Sequence, residues 1–527
     1  MSIVTADRPA TTTPIDPDSL SPSALTRNVF RGRPVSVLGF ARSGIALARF
    51  LVDADAEVTV YDARPGAELA TAVEALEGRS VRLLLGPDVD PVEAMAGAAL
   101  VATSPSVNAD YPTTEPRLRA ALAALASRRA GGDRTAPPIV SEVDLFLRLC
   151  PSPTIGVTGT KGKTTTSALT HALLATDGTH PAVLGGNIGR PLVERLPELT
   201  PRHRVVVELS ELQLPTLSHG TTVAAYTNVT ADHLDRHGTL EAYRAAKRRL
   251  AELVDPAGAI VLNDDDPIVA GYAGATDARV VRYRRGAAPA GGLGVAEGWI
   301  VAEPLGPLEP VGPVGPVAGA SRRPGNVTRI MPIDELGVPG AHNVSNALAA
   351  IGVALLFGVP PEDIRRAAGA FAGVEHRLER VAEIAGVRFV NDSQGTQPDA
   401  VIAALRAFES PIVLIAGGRD KGVDLSGLAG VVAERAAAAV LIGESGRDLE
   451  RLFREAGLAT TERAPSLDAA VDAADRLARD ARGGTGGGPI ATVLLSPAAA
   501  SFDMFEDYEA RGHAFKAAVA RLAVARA

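Results

Sequence analysis

From Pro34 onward the apolar and polar positions fall into short runs of two kinds, and the elements they predict follow the order strand, turn, helix, strand. Val35-Ser-Val-Leu-Gly39 reads as a strand, Phe40 to Gly44 as a turn, Ile45 to Val52 as a helix and Glu57-Val-Thr-Val-Tyr-Asp62 as a second strand with an acidic end. Dinucleotide folds use this arrangement to set a helix N-terminus against a pyrophosphate. Gly39 and Gly44 fit G-x-x-x-x-G, but Ala41 stands where the NAD or FAD fingerprint has its middle glycine. Two readings stay open: a nucleotide-shaped ligand, with Asp62 accepting a hydrogen bond from it, or a βα unit with no ligand.

Ala130 to Pro138 reads as a loop insertion, and Cys150-Pro-Ser-Pro153 as a boundary. Beyond it Thr154-Ile-Gly-Val-Thr158 predicts a strand, followed by a glycine-rich loop and a helix to about Asp177. Later strands are expected at Arg204 to Leu209, Val223 to Asn228 and Ala259 to Asn263. Gly286 to Gly325 lacks either period and reads as a long surface excursion. Ala347 to Val359 is apolar but short of the roughly 20 residues that span a bilayer, so a buried helix is expected. Near Gly373 the pattern restarts, with strands at Val387 to Asp392, Ile412 to Gly417, Ala439 to Gly443 and Thr492 to Ser496. In parallel sheets ligands gather beyond the carboxyl ends of the strands, where Asp392, Lys421 and Ser496 fall. The expected class is α/β with three domains: a flexible tail at 1–30, a Rossmann-like domain at 31–150, a central P-loop ATPase domain at 151–373 and a Rossmann-like C-terminal domain at 374–527.

A length of 527 residues suits about three domains. A net charge of −8 and a pI near 5.7 argue against a nucleic-acid partner, which needs clustered positive surface. The single cysteine, Cys150, excludes an intramolecular disulfide framework and fits a reducing cytoplasm. The N-terminus lacks the basic-then-apolar layout of a signal peptide, so a soluble cytoplasmic protein without membrane contact, and a monomer, is expected.

Only five of the 53 basic residues are lysines: Lys161, Lys163, Lys247, Lys421 and Lys516. Two of them lie in Gly156-Val-Thr-Gly-Thr-Lys-Gly-Lys-Thr-Thr165. A compact ammonium enters a cradle of backbone N–H groups and touches phosphate oxygens where a forked guanidinium does not fit. Val157 replaces the first glycine of G-x-x-x-x-G-K-[ST], and Gly159 and Gly162 supply the flexibility. The segment is read as an ATP-binding phosphate loop, with Lys163 on the β- and γ-phosphates, Lys161 adding charge and Thr164 on Mg²⁺. Glu208, ending a strand, is a second hard oxygen ligand for Mg²⁺, and His233 follows another strand towards the same loop. Each of these two, taken singly, also fits a solvated edge charge or a structural histidine.

Together, Gly159-Thr-Lys-Gly-Lys-Thr164, Gly185-Gly-Asn-Ile-Gly189, Glu208-Leu-Ser210, Asn228-Val-Thr-x-Asp-His233, Tyr243-Arg-Ala-Ala-Lys247, Gly340-Ala-His-Asn343 and Glu375-His-Arg377 occur in the order found in the Mur ligases. Leu495-Ser-Pro-Ala-Ala-Ala-Ser-Phe-Asp503 most resembles the branch that adds D-glutamate to UDP-N-acetylmuramoyl-L-alanine. The resemblance runs from about Pro34 to the end. It implies an ATP- and Mg²⁺-dependent ligase of peptidoglycan precursor synthesis, working through an acyl phosphate and releasing ADP and phosphate. It also implies catalytic roles for Lys163, Lys247 and His233, with Lys247 carrying a carbamate that holds metal beside Thr164, Glu208 and His233. Nucleotide contacts would come from Gly159 to Thr165, including Thr160, Lys161, Gly162 and Thr164, from Asn343 and Asn346 at adenine, and from Arg377 and Asp392 at phosphate and ribose. Ser43, Asp62 and Arg64 would bind the uridine nucleotide, Asn187 the muramoyl arm, and Ser210 and Gln213 further parts of the substrate. Thr396, Lys421, Ser496 and Phe502 would surround the incoming glutamate.

One motif departs from that branch. Where its members have Asp-Ser-Lys-Ala-Thr, this chain has Asp392-Ser-Gln-Gly-Thr396, so Gln394 removes a cation facing a dianion and leaves more of that task to Lys421. An L-glutamate ligase and a folylpolyglutamate-type ligase stay open as alternatives. So does an ATP-driven switch or binding protein.

Overall fold

The computed structural model describes residues 12–230, 237–308, 327–338, 340–420, 424–483 and 489–526. They form three sheets in two compact units, Met1–Phe371 and Ala372–Ala527.

In the first sheet β1 (Pro34–Leu38), β2 (Glu57–Asp62), β3 (Arg82–Leu85), β4 (Leu100–Thr103) and β5 (Ile139–Ser141) lie parallel, in the order β3-β2-β1-β4-β5. Every residue of β1 and β4 is buried, which explains why they do not alternate apolar and polar positions: helices cover both faces of a parallel sheet. Helix α1 (Arg42–Asp53) follows β1. The strand order reverses at β1, so a crevice opens at the carboxyl ends of β1 and its neighbours.

The second sheet holds β6 (Thr154–Thr158), β7 (Ala182–Gly186), β8 (Arg204–Glu208), β9 (Val223–Tyr226), β10 (Ala259–Asn263), β11 (Arg279–Tyr283), β12 (Leu293–Ala296), β13 (Trp299–Ala302) and β14 (Thr328–Pro332). Their order is β14-β13-β12-β11-β10-β9-β6-β8-β7, and only β13 runs against the others, antiparallel to both its neighbours. Helices α2 (Lys163–Leu174), α3 (Leu240–Leu253) and α4 (Ala341–Leu356) flank it. One apolar core joins the first two sheets, running from Val35 and Leu47 to Val205 and Tyr226.

The second unit carries β15 (Glu379–Ile384), β16 (Val387–Asn391), β17 (Ile412–Gly417), β18 (Ala438–Ile442), β19 (Thr461–Arg463) and β20 (Ala491–Leu495), in the order β15-β16-β20-β17-β18-β19. Only β15 is antiparallel. Helix α5 (Tyr508–Arg526) closes the chain.

Two expectations are corrected. Residues 12–30 are not a flexible tail: Ile15, Leu20, Ala24 and Phe30 are buried in the core, and the Ile15 N–H donates to Ala99 O at 2.8 Å. Four apolar anchors scattered among Pro, Ser and Thr carry no helical or strand period, so the pattern gave no warning. Within Gly286 to Gly325, β12 and β13 form a hairpin about Glu297-Gly298, both at positive φ (50° and 74°), and bury Leu293 and Ile300. Four-residue strands are too short to show a period among so many Gly, Pro and Ala residues. The expected buried apolar helix is present as α4, with ten buried residues. Among the described residues no helix is long and apolar enough to cross a membrane.

Candidate active site

The phosphate loop joins the end of β6 to the start of α2. Gly159 (φ +151°) and Gly162 (φ +84°) need the freedom of glycine twice over. A Cβ on Gly159 would overlap Thr227 Oγ1, and one on Gly162 would overlap Asn346 Oδ1. The Asn228 side chain, just beyond β9, braces the loop, accepting from Lys161 N–H at 3.0 Å and donating to Lys161 O at 2.9 Å. Thr160 N–H donates to Asn228 O at 2.7 Å. Helix α2 starts on Gly162 with no side-chain cap, which leaves its first N–H groups for an anion.

Two lysines converge beneath this loop. Lys163 Nζ donates to Gly159 O and Thr160 O, both at 3.0 Å. Lys247, on α3 and fully buried, donates from Nζ to Gly159 O at 3.0 Å and to Thr158 Oγ1 at 3.3 Å. One helical turn earlier Tyr243 lies beneath the same ammonium, 5.6 Å from its ring centre, and its hydroxyl meets Thr160 Oγ1 at 2.9 Å. The sequence motifs that contain Tyr243 and Asn228 assign neither a role. The i, i+4 spacing of Tyr243 and Lys247 was the signal for one shared helix face.

Glu208 ends β8 with 1% exposure. Its Oε1 accepts from Asn187 Nδ2 at 2.9 Å, and Asn187 N–H donates to Glu208 O at 2.9 Å. Glu208 Oε2 is buried with no hydrogen-bond partner among the described residues. A lone carboxylate oxygen of this kind, at the strand end beside a phosphate loop, suits a hard cation such as Mg²⁺. Thr164, the other ligand candidate, is buried in the first turn of α2, and Thr165 follows it. Ser210 and Gln213 pair with each other, the serine N–H and Oγ reaching Gln213 Oε1 at 2.9 and 3.0 Å. Asn346 donates to Asn343 Oδ1 at 3.1 Å, so the two α4 asparagines stand together against Gly162. His233 lies outside the described residues.

At the carboxyl end of β2, Asp62 is spent on organising its surroundings. It accepts from Phe40 N–H at 2.8 Å, from Arg64 N–H at 3.0 Å and from the Arg64 guanidinium at 2.8 Å. Burial alone would raise its pKa, but the Arg64 and backbone hydrogen bonds outweigh it and hold the carboxyl below its ordinary value. A cavity of about 330 Å³ opens beside it, lined by Gly39, Tyr61, Asp62, Ser106 and Thr114. The Tyr61 hydroxyl is buried there without a hydrogen-bond partner among the described residues. Ser43 is half-buried in the first turn of α1.

In the second unit Asp392 and Ser496 meet at adjacent strand ends, Ser496 Oγ donating to Asp392 Oδ2 at 2.6 Å. Burial pushes the Asp392 carboxyl up to about 6, against the pull of Ser496, the Leu378 N–H and Arg377. Arg377 is exposed on the turn before β15, Thr396 is half-buried, and Phe502 is 63% exposed. Lys421 lies outside the described residues. Sequence reasoning missed Arg511 of α5, which is fully buried and donates to Ser393 Oγ and Ser393 O at 3.0 Å and to Ala499 O at 3.3 Å. It ties the loop after β16 to the loop after β20, and one arginine in a helix carries no sequence sign of that.

A phosphate loop with a buried second lysine, an acid-ended neighbouring strand and two further sheets, one parallel and one with a single antiparallel edge strand, fits an ATP-dependent ligase. Residues 157–291 match the Mur ligase middle domain and residues 376–498 the Mur ligase glutamate ligase domain. The chain belongs to the Mur ligase family. It is 38% identical over 494 residues to the UDP-N-acetylmuramoylalanine--D-glutamate ligase of Pelotomaculum thermopropionicum, covering 94% of this chain and 98% of that one. The enzyme of the same name from Geobacter metallireducens is 39% identical over 490 residues, 93% of this chain and 97% of its own. That from Symbiobacterium thermophilum is 37% identical over 488 residues, covering 92% and 98%.

Proposed function

We propose that this chain joins D-glutamate to the carboxylate of UDP-N-acetylmuramoyl-L-alanine at the expense of ATP, as the names of its near full-length relatives suggest. The observation that carries the reading is Lys163 Nζ resting on two loop carbonyls, where triphosphate oxygens would compete for the same ammonium. In the first step a substrate carboxylate oxygen attacks the γ-phosphorus, the bond to the β–γ bridging oxygen breaks and ADP leaves. In the second the glutamate amine attacks the acyl carbon and gives up a proton, and the carbon–oxygen bond to orthophosphate breaks. Lys163 and the N–H groups of α2 neutralise charge on the transferring phosphoryl group. Mg²⁺, held by Glu208 and Thr164 with His233 and carbamylated Lys247, would supply further neutralisation at the phosphate oxygens.

Arg377 and Asp392 serve the nucleotide, and Asn343 and Asn346 its adenine. The uridine nucleotide takes the cavity beside Asp62 and Arg64, where the unpartnered Tyr61 hydroxyl favours a polar ligand. Thr396, Lys421, Ser496 and Phe502 face glutamate. Ligase domains at 31–150, 151–373 and 374–527, a monomeric state and a cytoplasmic location complete the proposal.

Purified protein given UDP-N-acetylmuramoyl-L-alanine, MgATP and D-glutamate should form amide, ADP and orthophosphate in equal amounts. L-glutamate in place of D-glutamate should give none of them above background. Phosphate release that is equally fast without glutamate would sink the scheme. Preferred turnover of L-glutamate would move the assignment to the reading that Gln394 suggests.

A further inference from the structure

Lys516 is one of five lysines, and the proposed reaction gives it no task. From α5 its ammonium donates to Glu375 Oε1 at 2.8 Å and to Glu379 Oε1 at 2.7 Å. Those two carboxylates stand immediately before and after the tripeptide His376-Arg377-Leu378. Within it His376 (φ 62°) and Leu378 (φ 46°) both adopt the left-handed backbone that non-glycine residues avoid. Two such residues flanking one arginine persist only where neighbours fix them.

The neighbours are visible. His376 N–H donates to Glu379 Oε2 at 2.9 Å, and Asn391 Nδ2 donates to the same oxygen at 2.9 Å. Leu378 N–H donates to Asp392 Oδ1 at 3.2 Å, and Gln394 N–H to His376 O at 3.0 Å. The His376 ring is pressed edge-on against His513, with centres 4.7 Å apart, and a Cβ on Gly512 would overlap it. His513 Nε2 lies 3.2 Å from Glu375 Oε1.

Glu375, His376 and His513 could be mistaken for a metal site, since one ligand atom from each lies within 4.8 Å of the others. The polar contacts argue otherwise. The Lys516 ammonium already occupies the cation position on Glu375 Oε1. Asn391 Nδ2 donates to His376 Nδ1 at 2.9 Å, which places the ring proton of neutral His376 on Nε2, the nitrogen a metal would need.

We infer that Lys516 is a positioning residue: by bridging Glu375 and Glu379 it locks the left-handed turn and sets the direction in which Arg377 leaves it. The inference rests on the reading of Arg377 as a nucleotide-phosphate contact. Lys516 touches no reacting group, so its loss acts through the turn that carries Arg377.

The test uses the full-length protein with Lys516→Met and Lys516→Arg. Lys516→Met should raise KM for ATP about fivefold or more, with kcat and the KM values of the other two substrates within about twofold. Lys516→Arg, able to reach both carboxylates, should restore KM for ATP to within about twofold. Amide hydrogen exchange at His376 and Leu378 should quicken at least tenfold in Lys516→Met and not in Lys516→Arg. An unchanged KM for ATP in Lys516→Met overturns the inference, as does a parallel rise for all three substrates. Arg377→Ala separates the two levels. If it leaves KM for ATP unchanged while Lys516→Met still quickens exchange, the nucleotide reading of Arg377 has failed and the inference falls with it.

Discussion

Lys163 and Lys247 donate to one oxygen, the carbonyl of Gly159, at 3.0 Å each, so two ammonium groups stand within about 6 Å of one another under the phosphate loop. Like charges at that spacing repel by about 3 kcal/mol at an effective dielectric of 20. Adding a carboxylate to Lys247 reverses one sign and turns the repulsion into attraction, while supplying an anionic oxygen for metal. Protein prepared in ¹³C-bicarbonate should therefore show a carbamate carbon resonance that is missing from Lys247→Ala. Removing CO₂ at mildly acidic pH should lower ligase activity more than tenfold, and bicarbonate should return it. Full activity with no label on the protein would rule the carbamate out.

Glu208 offers a separate measure of the metal site. Glu208→Gln keeps an oxygen for Asn187 Nδ2 and removes a buried charge whose second oxygen has no partner among the described residues. Uncompensated buried charge is costly to the fold, so the variant should melt no lower than the parent and a few degrees higher in the absence of Mg²⁺. The half-saturating Mg²⁺ concentration should rise about tenfold or more, and kcat should fall about 100-fold, the size of effect seen for one electrostatic group at a transition state. Loss of melting temperature together with an unchanged Mg²⁺ requirement would make Glu208 a structural residue.

What could be read from the sequence followed period and spacing. β1, β2, β6, β16, β17 and β20 are short runs rich in Val, Ile and Leu, each ending at or just before a glycine or a polar residue, and their positions match the expectation to within a residue or two. The places of Lys163 and Thr164 at the start of α2 and of Glu208 at the end of β8 were legible because they follow from the local strand and helix pattern. The contacts that brace them are not local. Asn346 fills the space a Gly162 Cβ would need from 184 positions away, and Arg511 reaches Ser393 across 118 positions. Asp62 shows the same limit from the other side: its place at the end of β2 was foreseen, yet both its oxygens turn to Phe40 and Arg64.

Asp392 should leave a mark on stability. Its folded pKa of about 6 lies above the ordinary 3.8 because burial disfavours the charge. The folded state thus binds the proton more tightly, and stability falls as pH rises from about 4 to 6. Above that range the full penalty, on the order of 3 kcal/mol, is present. Asp392→Asn removes the charge, so its melting temperature should exceed that of the parent at pH 8 and converge with it near pH 4. The same variant should lose ligase activity through the nucleotide site. Parallel melting curves for the two proteins across pH 4 to 8 would show that Asp392 titrates normally.

Arg511 links the loops after β16 and β20 that are proposed to receive glutamate, and its replacement tests whether they are built as a pair. Burial lowers its pKa to about 10, still well above working pH, so it remains a cation with a rigid fork of donors to Ser393 and Ala499. Lysine keeps the charge but cannot point three donors at these acceptors at once. Arg511→Lys should cost about 3 kcal/mol, since at least one buried carbonyl or hydroxyl loses its donor. Because Ser393 and Ala499 sit beside Thr396 and Ser496, the surviving folded enzyme should show a KM for glutamate raised at least fivefold, with KM for UDP-N-acetylmuramoyl-L-alanine unchanged. Steady-state kinetics well below the melting temperature separate the two effects. An unaltered KM for glutamate in a destabilised protein would confine Arg511 to holding the fold.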